Sequence, residues 1–411
     1  MIPDKQKLKD YARLIVRTGA NVQPGQIVQL TISVEQHEFA AMITEEAYLA
    51  GAKAVTLNWL SDRQDRLNYT YADEETLSRT LPWEEEKLRQ MTEDLPVRIF
   101  VDSQDPDALA GLDPGKLSGI RQKRAAVAKP YRDAIDGVHQ WCIAALPSAA
   151  WAKKCFPGDS EEEALSKLYD AVFRTVRIED GSDAVALWKA HTDAMNEKSA
   201  WLNAHRFVRL HYRSANGTDF TVGLIPGASW EGAGTVNRKN GAYYIPNMPT
   251  EEIFTSPLAG SCEGTLVAVK PLSWNGQLIE DFSIRFENGK AVSCKASKGQ
   301  ELLEKMLHMD DGASMLGEVA LVPKESPVNR CGFLFYNTLF DENACCHFAV
   351  GHGFKEVLPD GDQLSAEEAR LAGINDSIIH VDFMVGAEDL NITGIRDDGS
   401  ETPVFVNGTW A

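Results

Sequence analysis

Apolar positions recur at Leu8, Tyr11, Ala12, Leu14 and Ile15, the spacing that puts side chains on one face of a helix over residues 4–18. Behind Pro24-Gly25, the run Ile27 to Ile32 reads as a strand. Glu38 to Leu49 then reads as a helix closed by Gly51, and Ala54 to Trp59 as the next strand. The alternation continues through Val97–Val101 and Trp141–Leu146, with further helical stretches at about 160–177 and 183–204. Strands separated by ten or more residues of helical pattern predict right-handed crossovers and a mainly parallel sheet. Near residue 205 the pattern changes. Alternating runs now meet turn dipeptides directly: Phe207–Arg213 with Phe220–Val222 around Asn216-Gly217, and Phe282–Glu287 with Lys290–Ala296 around Asn288-Gly289. A third pair, Thr393–Arg396 and Pro403–Val406, flanks Asp397-Asp398-Gly399, and one helix at about 299–309 interrupts the strands. The predicted organisation is an α/β domain with a mainly parallel sheet over 1–205, and a mixed, β-rich α+β domain over 206–411.

Composition narrows the function. The chain has 411 residues, enough for two or three domains, and its 44% hydrophobic and 25% charged residues suit a globular protein with a large core. Its net charge of −19 sets it against nucleic acid and anionic membranes. No run approaches the ~20 apolar residues of a membrane span, and the charged start Met1–Lys7 has no signal-peptide stretch. Seven scattered cysteines without a C-x-x-C pair point to free thiols and a cytoplasmic setting.

No H-E-x-x-H, P-loop, G-x-S-x-G or helix-opening G-x-G-x-x-G occurs, so chemistry is sought where ionisable residues replace expected core residues. Four segments qualify. Glu251 and Glu252 precede Ile253-Phe254; Glu318 interrupts Leu316–Val322; His347 interrupts Ala344–Val350; His380 and Asp382 sit two apart in Ile378–Val385. Strand periodicity points His380 and Asp382 to one face. Buried charges of this kind need partners. They can find them in one another, as a hydrogen-bonded network, or in divalent metal, and this mixed N/O set without thiolate suits Zn²⁺, Co²⁺ or Mn²⁺. The pattern alone leaves both open. A Cys346–His347 nucleophile pair is disfavoured, because adjacent strand residues face opposite ways. His352, between two glycines, is either a loop histidine or a site residue. His37, His139, His191, His205, His211 and His308 lie in polar or helical settings and read as surface or satisfied residues.

The segments Asn247–Thr255, Leu316–Ala320, Asn337–His347 and His380–Gly386 resemble, in order and spacing, the thermophilic metalloaminopeptidases of the aminopeptidase T type. The resemblance implies a peptidase that removes N-terminal residues from peptides with a free N-terminus, using two divalent metal ions. By the resemblance, Glu252, Glu318, His347, His380 and Asp382 would be the metal ligands. It further implies a homodimer, with the α/β half helping to enclose the site. Glu251 would assist proton transfer or hold the substrate's α-ammonium group, unless it is a bystander acid. Family members carry a tyrosine seven residues after the histidine of the third motif; here that position is Phe354. His352 is the candidate to supply the missing hydrogen bond. Competing expectations are a metal-binding homologue with little or no turnover, and a substrate-binding module without metal.

Overall fold

The computed structural model describes residues 4–274 and 277–411; the first three residues of the charged N-terminal segment lie outside the described residues. The chain divides into two compact units, one built from residues up to Lys189 with Gly234–Pro249, the other from Ala190–Ala233 with Thr250–Ala411.

The first unit is organised on a four-stranded, wholly parallel sheet in the order Ala54–Leu60, Ile27–Ser33, Val97–Asp102, Trp141–Ala145. Along the two central strands Val28, Leu30, Ile32, Val97, Ile99 and Val101 are buried, while the intervening residues on the other face are only half-buried. Helices His37–Leu49 and Pro114–Ile135 are among the crossovers that parallel pairing demands. Helix Lys5–Leu14 is tied to the last strand by Tyr11, whose hydroxyl lies 3.1 Å from the Ala145 carbonyl.

One division point lies inside helix Ala184–His205, and the second segment of this unit returns from beyond residue 205. The reason for the return is backbone pairing. The Ile143 N–H donates to the Pro246 carbonyl (2.7 Å) and the Met248 N–H to the Ile143 carbonyl (2.9 Å), which extends the parallel sheet past its last strand.

The second unit contains an eight-stranded antiparallel sheet that includes the three expected hairpins: Arg209–Arg213 with Asp219–Leu224, Ser283–Glu287 with Lys290–Lys295, and Asn391–Ile395 with Glu401–Val406. Asn288 and Gly289 both have positive φ (50° and 77°), as a two-residue turn matched to strand twist requires. A second, four-stranded antiparallel sheet has the order His380–Met384, His347–Gly351, Leu316–Leu321, Ile253–Thr255. Phe348 joins the two sheets, its ring centroid 5.0 Å from Tyr212 and 5.3 Å from Phe220 on the larger one. Besides helix Gln300–Leu307, the short helices Thr338–Asp341 and Ala366–Leu371 interrupt the strands, although the periodicity signals only the first of the three. No helix of the described residues is long and apolar enough to cross a membrane.

Candidate metal centre

The smaller sheet carries the ionisable anomalies. Strands Leu316–Leu321 and His347–Gly351 are buried at every position, so Glu318 and His347 have water on neither side. Antiparallel register sets Glu318 opposite Ala349, Ala349 opposite Asp382, and Gly351 opposite His380. Glu252 stands one residue before Ile253–Thr255, the strand that pairs with the other edge of Leu316–Leu321.

These placements bring five side chains into two groups. Glu252, Glu318 and His347 form one; Glu318, His380 and Asp382 form the other; within each group the potential donor atoms lie within 4.8 Å of one another. Glu318 belongs to both. His347 Nε2 lies 3.1 Å from Glu252 Oε2, and His380 Nε2 lies 3.0 Å from Glu318 Oε2 and 3.3 Å from Asp382 Oδ1. Each imidazole turns its other nitrogen to a backbone carbonyl: His347 Nδ1 to Cys345 (3.2 Å) and His380 Nδ1 to His352 (2.7 Å). A carbonyl can only accept, so both rings hold a proton on Nδ1 and aim Nε2 at the carboxylates.

The electrostatics are those of crowded acids and bases out of water. Burial, reinforced by Asp382 and Glu252, pushes the Glu318 carboxyl up to about 7 despite its hydrogen bond from His380. Burial opposes a charged imidazole, yet the surrounding carboxylates outweigh it, raising His347 to about 9, mainly through Glu252, and His380 to about 11 through Asp382 and Glu318. Desolvation opposes the charge on half-buried Asp382, but His380 and His347 hold its carboxyl below the usual range.

The fit to metal can be tested on the lone pairs. One Nε2–H can serve one oxygen well. The shorter contact goes to Glu318, and buried Asp382 Oδ1 accepts no hydrogen bond. A buried carboxylate oxygen without a donor is costly in a protein-only network. It is the expected state of an oxygen whose partner is a cation. The donor set, imidazole nitrogen and carboxylate oxygen with the second imidazole nitrogen braced, also suits divalent metal.

Four further residues surround the cluster. Glu251 is buried; its N–H donates to Asn343 Oδ1 (2.7 Å), and its carboxylate lies 3.7 Å from His191 Nε2. The His352 imidazole is half exposed, 3.5 Å from Asp376, and belongs to neither ligand group; its carbonyl, not its ring, contacts His380. The ring of Phe354 lies 4.8 Å from that of His380 and 5.5 Å from Phe254. No apolar pattern marks Glu342. Burial, together with the charges of Glu252, Asp382 and Glu318, drives its carboxyl well above the usual range, so it faces the same cluster. It sits in a 3₁₀ turn (Glu342–Ala344) with no apolar periodicity to make an acid conspicuous. The cysteines offer no rival: burial pushes the Cys345 thiol up to about 11 and the Cys346 thiol higher still.

The chain is similar to known proteins along nearly its whole length. The profile of the thermophilic metalloprotease (M29) family matches residues 4–410. Aminopeptidase AmpS of Bacillus subtilis is 41% identical over 99% of this chain and 98% of its own length. Aminopeptidase T of Thermus thermophilus is 39% identical over 99% and 98% respectively. The solved structure of wild-type AmpT from Thermus thermophilus superposes with a TM-score of 0.91 at 38% identity, covering 99% of both chains.

Proposed function

This chain belongs to the M29 family of thermophilic metalloproteases, and on that premise we propose a metal-dependent aminopeptidase that hydrolyses the N-terminal residue from peptides at a two-metal centre. The observation that carries the reading is the pair of ligand groups sharing Glu318. Glu252 and His347 would hold one ion, His380 and Asp382 the other, and Glu318 both; Glu342 faces the same space. When bound, two such ions lower the pKa of a shared water toward ~7 and polarise the scissile carbonyl. The chain's own contribution is to exclude water around Glu318 and His347 and to fix both imidazole tautomers through backbone carbonyls. Glu251, buried and one residue from Glu252, would hold the substrate's α-ammonium group or move a proton, unless it is a bystander acid.

Because the ring next to His380 is that of Phe354, no hydroxyl is supplied there. A donor to the developing oxyanion is typically worth about 10²–10³ in turnover. We assign His352 no part through its ring, which turns toward Asp376. The same family reading carries a homodimer, and the scattered cysteines without a C-x-x-C pair are in keeping with a reducing, cytoplasmic setting.

Chelator treatment should abolish release of amino acids from a peptide panel, and Zn²⁺, Co²⁺ or Mn²⁺ should restore it. N-acetylated peptides should resist. Undiminished hydrolysis by metal-free protein would refute the reading, and cleavage of blocked peptides at internal bonds would replace it with an endopeptidase.

A further inference from the structure

The segment that carries Glu252 into the site enters it before the sheet begins. Strand Ile253–Thr255 starts one residue later, so its pairing with Leu316–Leu321 does not reach the peptide between Thr250 and Glu251. Two side chains grip that peptide instead, one at each polar atom. His191 Nε2, from helix Ala184–His205, lies 2.9 Å from the Thr250 carbonyl, and Asn343 Oδ1 accepts from the Glu251 N–H at 2.7 Å. A carbonyl only accepts, so the His191 proton sits on Nε2. Thr250, Glu251 and Asn343 are all buried, where water cannot replace a lost bond.

Asn343 is itself fixed. Its Nδ2 donates to the Leu339 carbonyl (3.0 Å) and reaches Glu342 Oε1 (3.4 Å), while its own carbonyl accepts from the hydroxyl of buried Ser326 (2.6 Å). One acceptor and two donors on a single planar head are what the three side-chain partners require. An ionised aspartate would offer no donor, and a leucine neither. The amide therefore ties the backbone before Glu252 to the carboxylate of Glu342. The other half of the centre has a separate brace: His380 leans on the His352 carbonyl, in a loop that buried Asn375 clamps through the Gly351 and Gly312 carbonyls.

Resting on the two-metal reading, we infer that Asn343 and His191 are positioning residues for one site of the two. They hold the Glu252 carboxylate against Glu318 and His347, and so govern metal affinity there and not at the Glu318, His380 and Asp382 site.

Calorimetric titration of the metal-stripped full chain with Co²⁺, in two single-site backgrounds, tests this. Asp382→Ala should leave the Glu252 site, and Glu252→Ala the Asp382 site. Adding Asn343→Ala should weaken Co²⁺ binding about 10–100-fold in the Asp382→Ala background, as loss of a ligand's outer support does. In the Glu252→Ala background it should leave the affinity unchanged. His191 is only half-buried, so His191→Ala reports even if Asn343→Ala folds poorly. It should show the same selectivity with a loss of about 2–10-fold, the scale of one neutral hydrogen bond. Equal losses in both backgrounds would mean a general loosening of the fold, and no loss in the first would mean that the strand alone places Glu252; either result overturns the inference. Wild type that binds fewer than two equivalents would refute the two-metal reading, and the inference with it.

Discussion

At the residue scale, Glu318 differs from its neighbours because it stands in both ligand groups. Glu318→Ala should therefore strip both metal equivalents, whereas Glu252→Ala or Asp382→Ala should strip about one each; elemental analysis after desalting counts them. Equal losses from all three variants would mean that the groups do not act as two sites. Cys346 makes the opposite case. Its sulfur sits in the core, 3.4 Å from both the N–H and the carbonyl of Val322. Cys346→Ala should keep most turnover while lowering stability by about 1–2 kcal/mol, the scale of a small buried cavity. Iodoacetamide at pH 8 should leave Cys345 and Cys346 unmodified in the folded protein, because a thiol held near 11 or above is almost wholly protonated there. A dead Cys346→Ala protein with its metal intact would reopen the nucleophile reading.

At the element scale, the site depends on how strands and loops hold the His352 carbonyl against His380. Gly317 leaves room for it: a Cβ there would run into the His352 and Gly351 carbonyl oxygens. Buried Asn375 clamps the same loop, its side-chain amide donating to the Gly351 and Gly312 carbonyls and its own carbonyl accepting from Gly353. Gly317→Ala should cost roughly 1–3 kcal/mol in urea unfolding, as overpacking does. Asn375→Ala should weaken metal binding by about 10–100-fold, as loss of a ligand's outer support does, while the five ligands stay in place. Unchanged metal affinity in Asn375→Ala would show that the carbonyl is held by the strands alone.

This scale also explains what was readable in the chain. Glu318, His347, His380 and Asp382 are conspicuous because each breaks an apolar run, and burying a charge is too costly to be accidental. The three hairpins are legible for the same local reason, a period of two meeting a turn dipeptide. Glu342 in its 3₁₀ turn breaks no pattern. Gly317 and Asn375 act on backbone atoms distant in sequence, and His352 contributes a carbonyl that every residue type possesses. Such contributions lie in the fold rather than in residue identity.

At the scale of the whole molecule, metal that binds only the folded chain should stabilise it by mass action, about 2.7 kcal/mol at a free concentration one hundred times Kd. Thermal unfolding should shift upward on adding Zn²⁺ or Co²⁺ and return on chelation, with Glu318→Ala insensitive to both. A metal-dependent shift that survives in Glu318→Ala would place the stabilising ion elsewhere.

The strand extension formed by Pro246 to Met248 against Ile143 also bears on how the chain is made. During synthesis the first unit emerges nearly whole by Lys189, but its sheet stays open on that side until the chain has run on to Pro249, with Ala190–Ala233 of the second unit made in between. Neither unit can then be made by cutting the gene once. A nascent chain stopped at residue 205 should be markedly more protease-sensitive around Trp141–Ala145 than one stopped at 260, because vectorial folding reaches a closed first unit only after the polypeptide has doubled back to it.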